Sequence, residues 1–314
     1  MRGNDRVADA HESVEEAASP KRETPRRLLR TIWSSLMRRK SLLIGLLGLA
    51  IIMTAAIFAP LLTPYDPFEQ DILNRRVPPI WDAWLGGVKP GQIEHPFGTD
   101  NVGRDYWSRL LFGARISLIV GFTSALMAGL IGTIIGVSAG YWGGWVDMTA
   151  NFLIQTRLAV PIILVAIAAV GMFGGSLQLI ILIIGLALWD RAAVVMRAAT
   201  QQVRNRDFIR AAKALGCSDL RIIMTEVLPS LVAPLAVILS IEMGQAILFE
   251  AALSFLGLGI PPPTPSWGLM LAEAKEDIFF ASWSITIPGA ALFLLVLSTS
   301  LIGDGLQNNR TRSA

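Results

Sequence analysis

Four ionisable residues, Asp190, Arg191, Glu242 and Glu250, stand in stretches that are otherwise almost wholly apolar. A charge in such a setting faces a cavity or an opposite charge, because hydrocarbon solvates it poorly. Glu242 and Gln245 share one helical face, and Glu250 lies about two turns beyond Glu242. Two readings follow: a polar path bordered by Glu242 and Gln245, or an ion pair between subunits with Glu250 as an acid at a membrane boundary. Covalent chemistry is harder to assemble. The only histidines are His11 and His95, so neither an HExxH zinc site nor a serine–histidine pair within a membrane can be built. Asp190 and Asp304 are the one pair to weigh for an aspartyl protease, and Asp304 lacks the Gly-x-Gly-Asp setting. No GxxxxGK(S/T) loop holds a nucleotide phosphate, so ATP could drive this chain only through another one.

A second group of residues could do recognition rather than catalysis. Between Arg210 and Pro229 the sequence reads RAAKALGCSDLRIIMTEVLP, polar and charged between two long apolar runs. Asn205 or Asp207 is positioned to cap a short helix. Ala211, Ala212, Ala214 and Leu215 propagate it, and Gly216 ends it because glycine accepts the left-handed conformation of a C-cap. Ser218 then caps a second helix, Asp219 complements its dipole, and Ile222, Ile223, Val227 and Leu228 give it an apolar face before Pro229. The adjacent alanines let another surface approach the backbone. Read alone, the segment is first an ordinary capped loop and only second a docking surface.

The elements around these residues belong to a bilayer. The chain has 314 residues, 53% hydrophobic and 16% charged, which is too apolar for a soluble domain. A net charge of +3 is too small to point to nucleic acid. The single cysteine, Cys217, excludes an internal disulfide. The apolar runs predict an all-α, polytopic protein with six spans, near 42–62, 116–140, 151–173, 177–195, 231–255 and 283–302. In the third, Arg157 is expected to snorkel to the interface and Pro161 to bend the helix. The first run is too long for a cleaved signal core. Basic residues cluster before the first span and around Arg210, whereas the connections after the first and fifth spans are acidic, so both termini and the Arg210 loop are expected in the cytoplasm.

This gives a cytoplasmic tail over 1–40 and a six-span region over 41–307. That region carries an external loop 64–115, a cytoplasmic loop 196–230 and a second external loop 257–282. A cytoplasmic tail 308–314 follows. Near 26–40, Leu28, Leu29, Ile32, Trp33, Leu36 and Met37 recur at helical spacing among arginines, which reads either as a helix on the lipid headgroups or as a topology signal. Gly121, Ala125 and Gly129, then Gly132, Gly136 and Gly140, repeat at four-residue spacing and predict close helix packing.

Outside the spans, Asp100 is placed to cap a helix beginning near Asn101, and Gly103 permits close approach. Arg104, Asp105, Arg109 and Arg115 offer ion pairs to one another or to a docked protein. Pro261, Pro262, Pro263 and Pro265 stiffen the connection after the fifth span, and Trp267 adds a rigid surface. These segments serve equally as gate, docking ledge or internal scaffold.

The segment 210–229 resembles the "EAA" loop of permease subunits in bacterial ABC importers. HPFGTDNVGRDYWSRLLFGARISL and EAALSFLGLGIPPPTPSWG resemble hallmarks of the dipeptide, oligopeptide and nickel branch, specifically its "C"-type permease. The resemblance runs from about 38 to 307. It implies the MetI-like fold of type I importers in the bacterial inner membrane, and a non-enzymatic subunit that forms half of a pore for di- or oligopeptides. It also implies a heterodimer with a homologous permease, two ATPase subunits holding ATP and Mg, an extracytoplasmic solute-binding protein, and no cofactor on this chain itself. Arg210, Ala211, Ala212, Gly216, Asp219, Leu228 and Pro229 then fall on the ATPase-coupling segment, Glu242 and Gln245 on the pore, and Asp100, Arg104, Asp105, Pro263 and Trp267 on an external gate or binding-protein contact. Three positions depart from the pattern: Arg210 replaces the motif's glutamate, Gln155 an expected aspartate, and Val194 an arginine. The competing functional class is an ion-gradient-driven transporter or channel using Asp190, Glu242 and Glu250.

Overall fold

Lipid tails accept no hydrogen bonds, so a chain that crosses them closes its backbone bonds locally as helix. A computed structural model of the protein describes residues 40–82 and 91–307 and is helical almost throughout. Among the described residues the only β pairing is an isolated bridge between Thr99 and Asp105. The helix expected near 26–40 and the tail 308–314 lie outside the described residues, apart from Lys40.

The long elements are α1 (Lys40–Ile57), α2 (Tyr106–Trp142), α3 (Gly144–Ala159), α4 (Ile162–Phe173) and α5 (Leu177–Arg204). Then come the short α6 (Asp207–Ala214) and α7 (Asp219–Ile222), the long α8 (Val232–Phe255), the short α9 (Trp267–Ala274) and the closing α10 (Trp283–Gln307). Five of these are long and apolar enough to span a bilayer, and six spans result if α3 and α4 are taken as one broken crossing. The break falls where Pro161 denies α4 a backbone donor, and the two halves bend by 76°. The predicted third span is therefore two helices with an elbow.

Two boundaries differ from those read in the sequence. Helix α2 begins at Tyr106, so residues 106–115, assigned to the external loop, are its first turns. No helix starts near Asn101; Asp105, rather than Asp100, is the N-cap, its carboxylate accepting from Ser108 N at 2.8 Å. The 37 residues of α2 extend about 55 Å, well beyond an apolar layer of about 30 Å. Its ends therefore stand clear of the hydrocarbon on both sides.

Helix α2 lies in the groove between α5 and α8. Its small residues form one slowly winding stripe, because positions eleven apart on a 3.6-residue helix return nearly to the same face. Gly121 and Gly129 receive Ile247 and Leu239 of α8, and Gly132, Gly136 and Gly140 meet the backbone of α5. A Cβ added at Gly132 would lie 2.7 Å from Trp189 O, and one at Gly140 2.7 Å from Arg197 O. Contact this close is made by dispersion, since hydrocarbon gives helices no hydrophobic reason to associate. Helix α1 packs on α10 by the same device, with Gly45 against Ser298 O and Gly305 against Leu42. Gly303 faces Val237 and Ser240 near the start of α8. The described chain ends therefore share one end of the bundle with the 205–231 segment.

Gly136→Leu should destabilise the purified protein by at least about 2 kcal/mol, because its Cβ alone would sit 2.9 Å from Arg197 N. Gly171→Ala, where nothing lies within 4 Å of the added carbon, should be neutral or stabilising. Thermal unfolding in detergent compares the two.

Candidate functional site

At the end of the bundle that carries residues 205–231, α6 is pinned by one side. Ile209 is buried with Ile222, Ile223, Val227 and Leu231 against Tyr141, Met196 and Val203. Position 206 is the N-cap and Arg206 makes no capping bond, so neither Asn205 nor Asp207 plays the expected part; Asp207 sits in the first turn. The C-terminus follows the sequence more closely. Gly216 takes φ +79°, Gly216 N donates to Lys213 O at 3.0 Å, and Cys217 N donates to Ala212 O at 3.1 Å. This is a Schellman closure, and it folds Cys217 onto the same apolar cluster as a small packing residue.

Ser218 holds the N-cap position of α7 without a side-chain bond. Helix α7 continues through a π-helical turn, Ile223–Val227, and Leu228–Ser230, so the chain stays helical past Pro229. Proline fits there because the π-helical turn before it, with Leu228 N bonded to Ile223 O, already departs from the regular i→i−4 ladder.

Asp219 ties this segment to α2. Tyr141 Oη donates to Asp219 Oδ1 at 2.7 Å, and Lys213 Nζ lies 3.7 Å from the same oxygen and 4.8 Å from the Tyr141 ring centre. The Tyr141 bond, assisted by Lys213, holds the Asp219 carboxyl below the ordinary carboxylate range. The outward surface presents Ala211, Leu215, Gly216 and Leu220, with Ala212 and Leu228 half-buried and Pro229 exposed. Arg210 points to solvent, 3.8 Å from an equally open Asp207.

Within the bundle, Arg157 is committed to an ion pair. It reaches Asp190 across the elbow at 3.6 Å, and Asp190 is buried. Glu242, assigned to the pore from its helical face, is instead fully enclosed by this chain's own helices. Its face of α8, with Ile238 and Ala246, is the buried one. Neither carboxylate oxygen of Glu242 has a hydrogen-bond partner among the described residues. Gln245 is the member of that pair that remains partly exposed. Glu250 is buried and structural, accepting from Ser254 Oγ at 2.9 Å and Ser266 Oγ at 2.8 Å.

At the opposite end, the residues of the HPFGTDNVGRDYW segment turn inward. Arg104 Nε meets Asp100 Oδ2 at 2.5 Å, and Arg104 Nη2 meets Glu273 Oε1 at 3.1 Å. Arg109 pairs with Asp100 as well, and its Nη2 lies 2.8 Å from Glu273 Oε2. Two guanidinium groups and two carboxylates thus close a neutral square that joins the loop, α2 and α9. Asp105 is also enclosed, held by His95 Nδ1 at 2.9 Å. Arg115 instead donates to Ala56 O and Ile57 O at the end of α1. Gly103 admits Asp71 O where a side chain would collide.

Trp267 is buried too. Its Nε1 donates to Leu110 O at 2.8 Å, and its ring lies over Gly113 of α2. Asp100, Arg104, Asp105 and Trp267 therefore occupy the interior of this end, and Pro263 stays exposed. Sequence reasoning missed Glu273 as the square's fourth member and Ser266 as the N-cap of α9. The Ser-Trp-Gly step ahead of an apolar run was the available signal for the cap; Glu273, 169 residues from Arg104, had none.

A family model described as "Binding-protein-dependent transport system inner membrane component" matches residues 110–312, and "N-terminal TM domain of oligopeptide transport permease C" matches 27–79. The chain is 39% identical to the di/tripeptide transport system permease protein DppC of Pseudomonas aeruginosa over 89% of its own length and 90% of that protein. It is 37% identical to the dipeptide transport system permease protein DppC of Haemophilus influenzae, covering 90% and 94%. It is 35% identical to the glutathione transport system permease protein GsiD of Escherichia coli, covering 88% of each. Among solved structures, an inward-facing MetNI methionine ABC transporter chain superposes with TM-score 0.52 at 16% identity, over 65% of this chain and 95% of that one. This last likeness is one of fold.

Arg109→Met should cost about 3–5 kcal/mol by stranding buried carboxylates. Arg109→Met combined with Glu273→Gln should recover part of it; thermal unfolding of the purified variants measures both. Tyr141→Phe should raise the Asp219 titration toward the ordinary carboxylate value. Because a lowered acid stabilises only while ionised, the wild-type tether holds above the ordinary carboxylate pKa and fails as pH falls through the lower folded value. Carbon-13 shifts of labelled aspartate follow that titration.

Proposed function

The chain belongs to the family of binding-protein-dependent transport system inner membrane components, and from this premise we propose that it is one permease half of an ATP-driven importer of di- or oligopeptides. The observation that carries this reading is the Schellman-closed α6, which offers Ala211, Leu215 and Gly216 outward while Ile209 and the Tyr141–Asp219 bond fix it to the bundle. A chain without a phosphate-binding loop that presents a rigid, small-residue surface is suited to receive motion from a separate ATPase. In this reading a homologous second permease completes the pore, two ATPases carry ATP and Mg, and a solute-binding protein delivers cargo to the opposite end. The chain itself catalyses nothing.

Orientation follows from the basic residues around Arg210, which place the α6 end in the cytoplasm of a bacterial inner membrane. Peptide cargo is taken from the printed activities of the relatives in Pseudomonas aeruginosa and Haemophilus influenzae. The contrary class, a gradient-driven transporter, needs ionisable groups on an open path. Glu242 and Glu250 are both enclosed within this chain, which favours the ATP-coupled reading.

Proteoliposomes holding both permeases and the ATPases, supplied with binding protein, should accumulate Ala-Ala only when ATP is hydrolysed. Uptake by this chain alone under a proton gradient overturns the assignment. Ala211→Glu, at an exposed position where the fold tolerates a side chain, should cut ATP-dependent uptake at least about tenfold and release the ATPases on co-purification. Leu182→Ala, at an exposed position of α5 remote from α6, should leave both unchanged.

A further inference from the structure

A cavity of about 450 Å³ opens at the end of the bundle opposite α6, between the close of α4, the turn after α8, and α9. That volume falls in the ordinary range for pockets that hold a small molecule. Its walls are apolar along Val170, Ile260, Pro261 and Leu269. Chemistry is confined to a few points, which is the pattern of a site that seats an apolar body and fixes its ends.

The charged groups at the cavity divide into committed and free. Glu273 contributes to the wall, but both its oxygens are taken by Arg104 and Arg109. Lys275 and Glu276 stand exposed at the mouth, and neither enters an ion pair among the described residues. Lys275 is steadied by the Phe255 ring, 5.9 Å from Nζ.

A cation and an anion at the mouth, both unpaired among the described residues, and apolar walls match a short zwitterionic peptide. We propose that this cavity is a cargo subsite on the permease itself, where Lys275 takes the peptide's carboxylate, Glu276 its ammonium group, and the apolar wall a side chain. The assignment rests on the importer reading above and adds to it that cargo is read a second time after release from the binding protein. It also places the recognising charges outside the hydrocarbon, where they remain solvated when the site is empty.

The test uses the complete complex in nanodiscs with alanyl-photoleucine, a dipeptide whose side chain carries a diazirine. Irradiation, digestion and mass spectrometry locate the adducts. Adducts are expected on residues 260–262 and 269–272, reduced about fivefold by Lys275→Gln, by Glu276→Gln and by excess Ala-Leu, in line with a solvent-exposed ion pair. Both substitutions lie at exposed positions and leave the square of Arg104 and Arg109 intact. Adducts confined to other segments, no adducts at all, or adducts at these segments in undiminished yield in both variants overturn the proposal. Uptake of the same dipeptide by proteoliposomes separates the two claims. No ATP-dependent uptake removes the importer reading, and uptake without these adducts removes the subsite alone.

Discussion

Hydrocarbon supplies no hydrogen bonds, and three irregular stretches among the described residues are closed by protein groups instead. The elbow between α3 and α4 is crossed by Arg157 reaching Asp190 on α5. The turn between α8 and α9 is tied down by Glu250, which accepts from serines on both sides of it. The loop before α2 closes through Asp100, Arg104, Arg109 and Glu273, whose charges cancel in a volume too dry to hold any of them alone. Such pairs contribute little net stability against an apolar filling, yet removing one member is expensive. They therefore specify one arrangement of α2 against α9.

The two ends of the bundle solve opposite problems with the same helix. At one end α2 is held by ion pairs and by the Trp267 indole on Leu110 O; at the other, Tyr141 holds Asp219 through a single hydrogen bond assisted by Lys213. The first set is buried and multiple. The second is open to water at Asp219 and screened by salt, and the α6 end relies besides on the buried apolar cluster around Ile209. One end is thus fixed chiefly by buried charge, the other chiefly by apolar packing.

Much of the architecture was legible in the sequence because apolar length is a one-dimensional signal. The spans, Pro161 as a break, Gly216 as a C-cap and the glycine stripe on α2 all depend on neighbours close in sequence. What stayed hidden depends on distant partners. Glu242 shares its helical face with Ile238 and Ala246, but that this face is the one buried within the chain is a fact of packing. Asp100 was read as a cap because it precedes polar residues, yet Arg104 and Arg109 claim its carboxylate and leave capping to Asp105. The HPFGTDNVGRDYW and SFLGLGIPPPTPSWG segments were legible as a resemblance and misleading as surfaces, since Arg104, Asp105 and Trp267 turn inward.

The length of α2 has a mechanical consequence. A rod of about 55 Å held by backbone-to-backbone contact at Gly132 and Gly136, near its Tyr141 end, has one short arm and one long one. A tilt of about 5° about those contacts would carry the Tyr141 end roughly 1 Å and the Arg109 end roughly 3 Å in the opposite direction. Tyr141 and Arg109 sit at those tips. The unequal arms mean that a displacement at Tyr141 would be multiplied about threefold at Arg109, some fifty ångströms away along the helix.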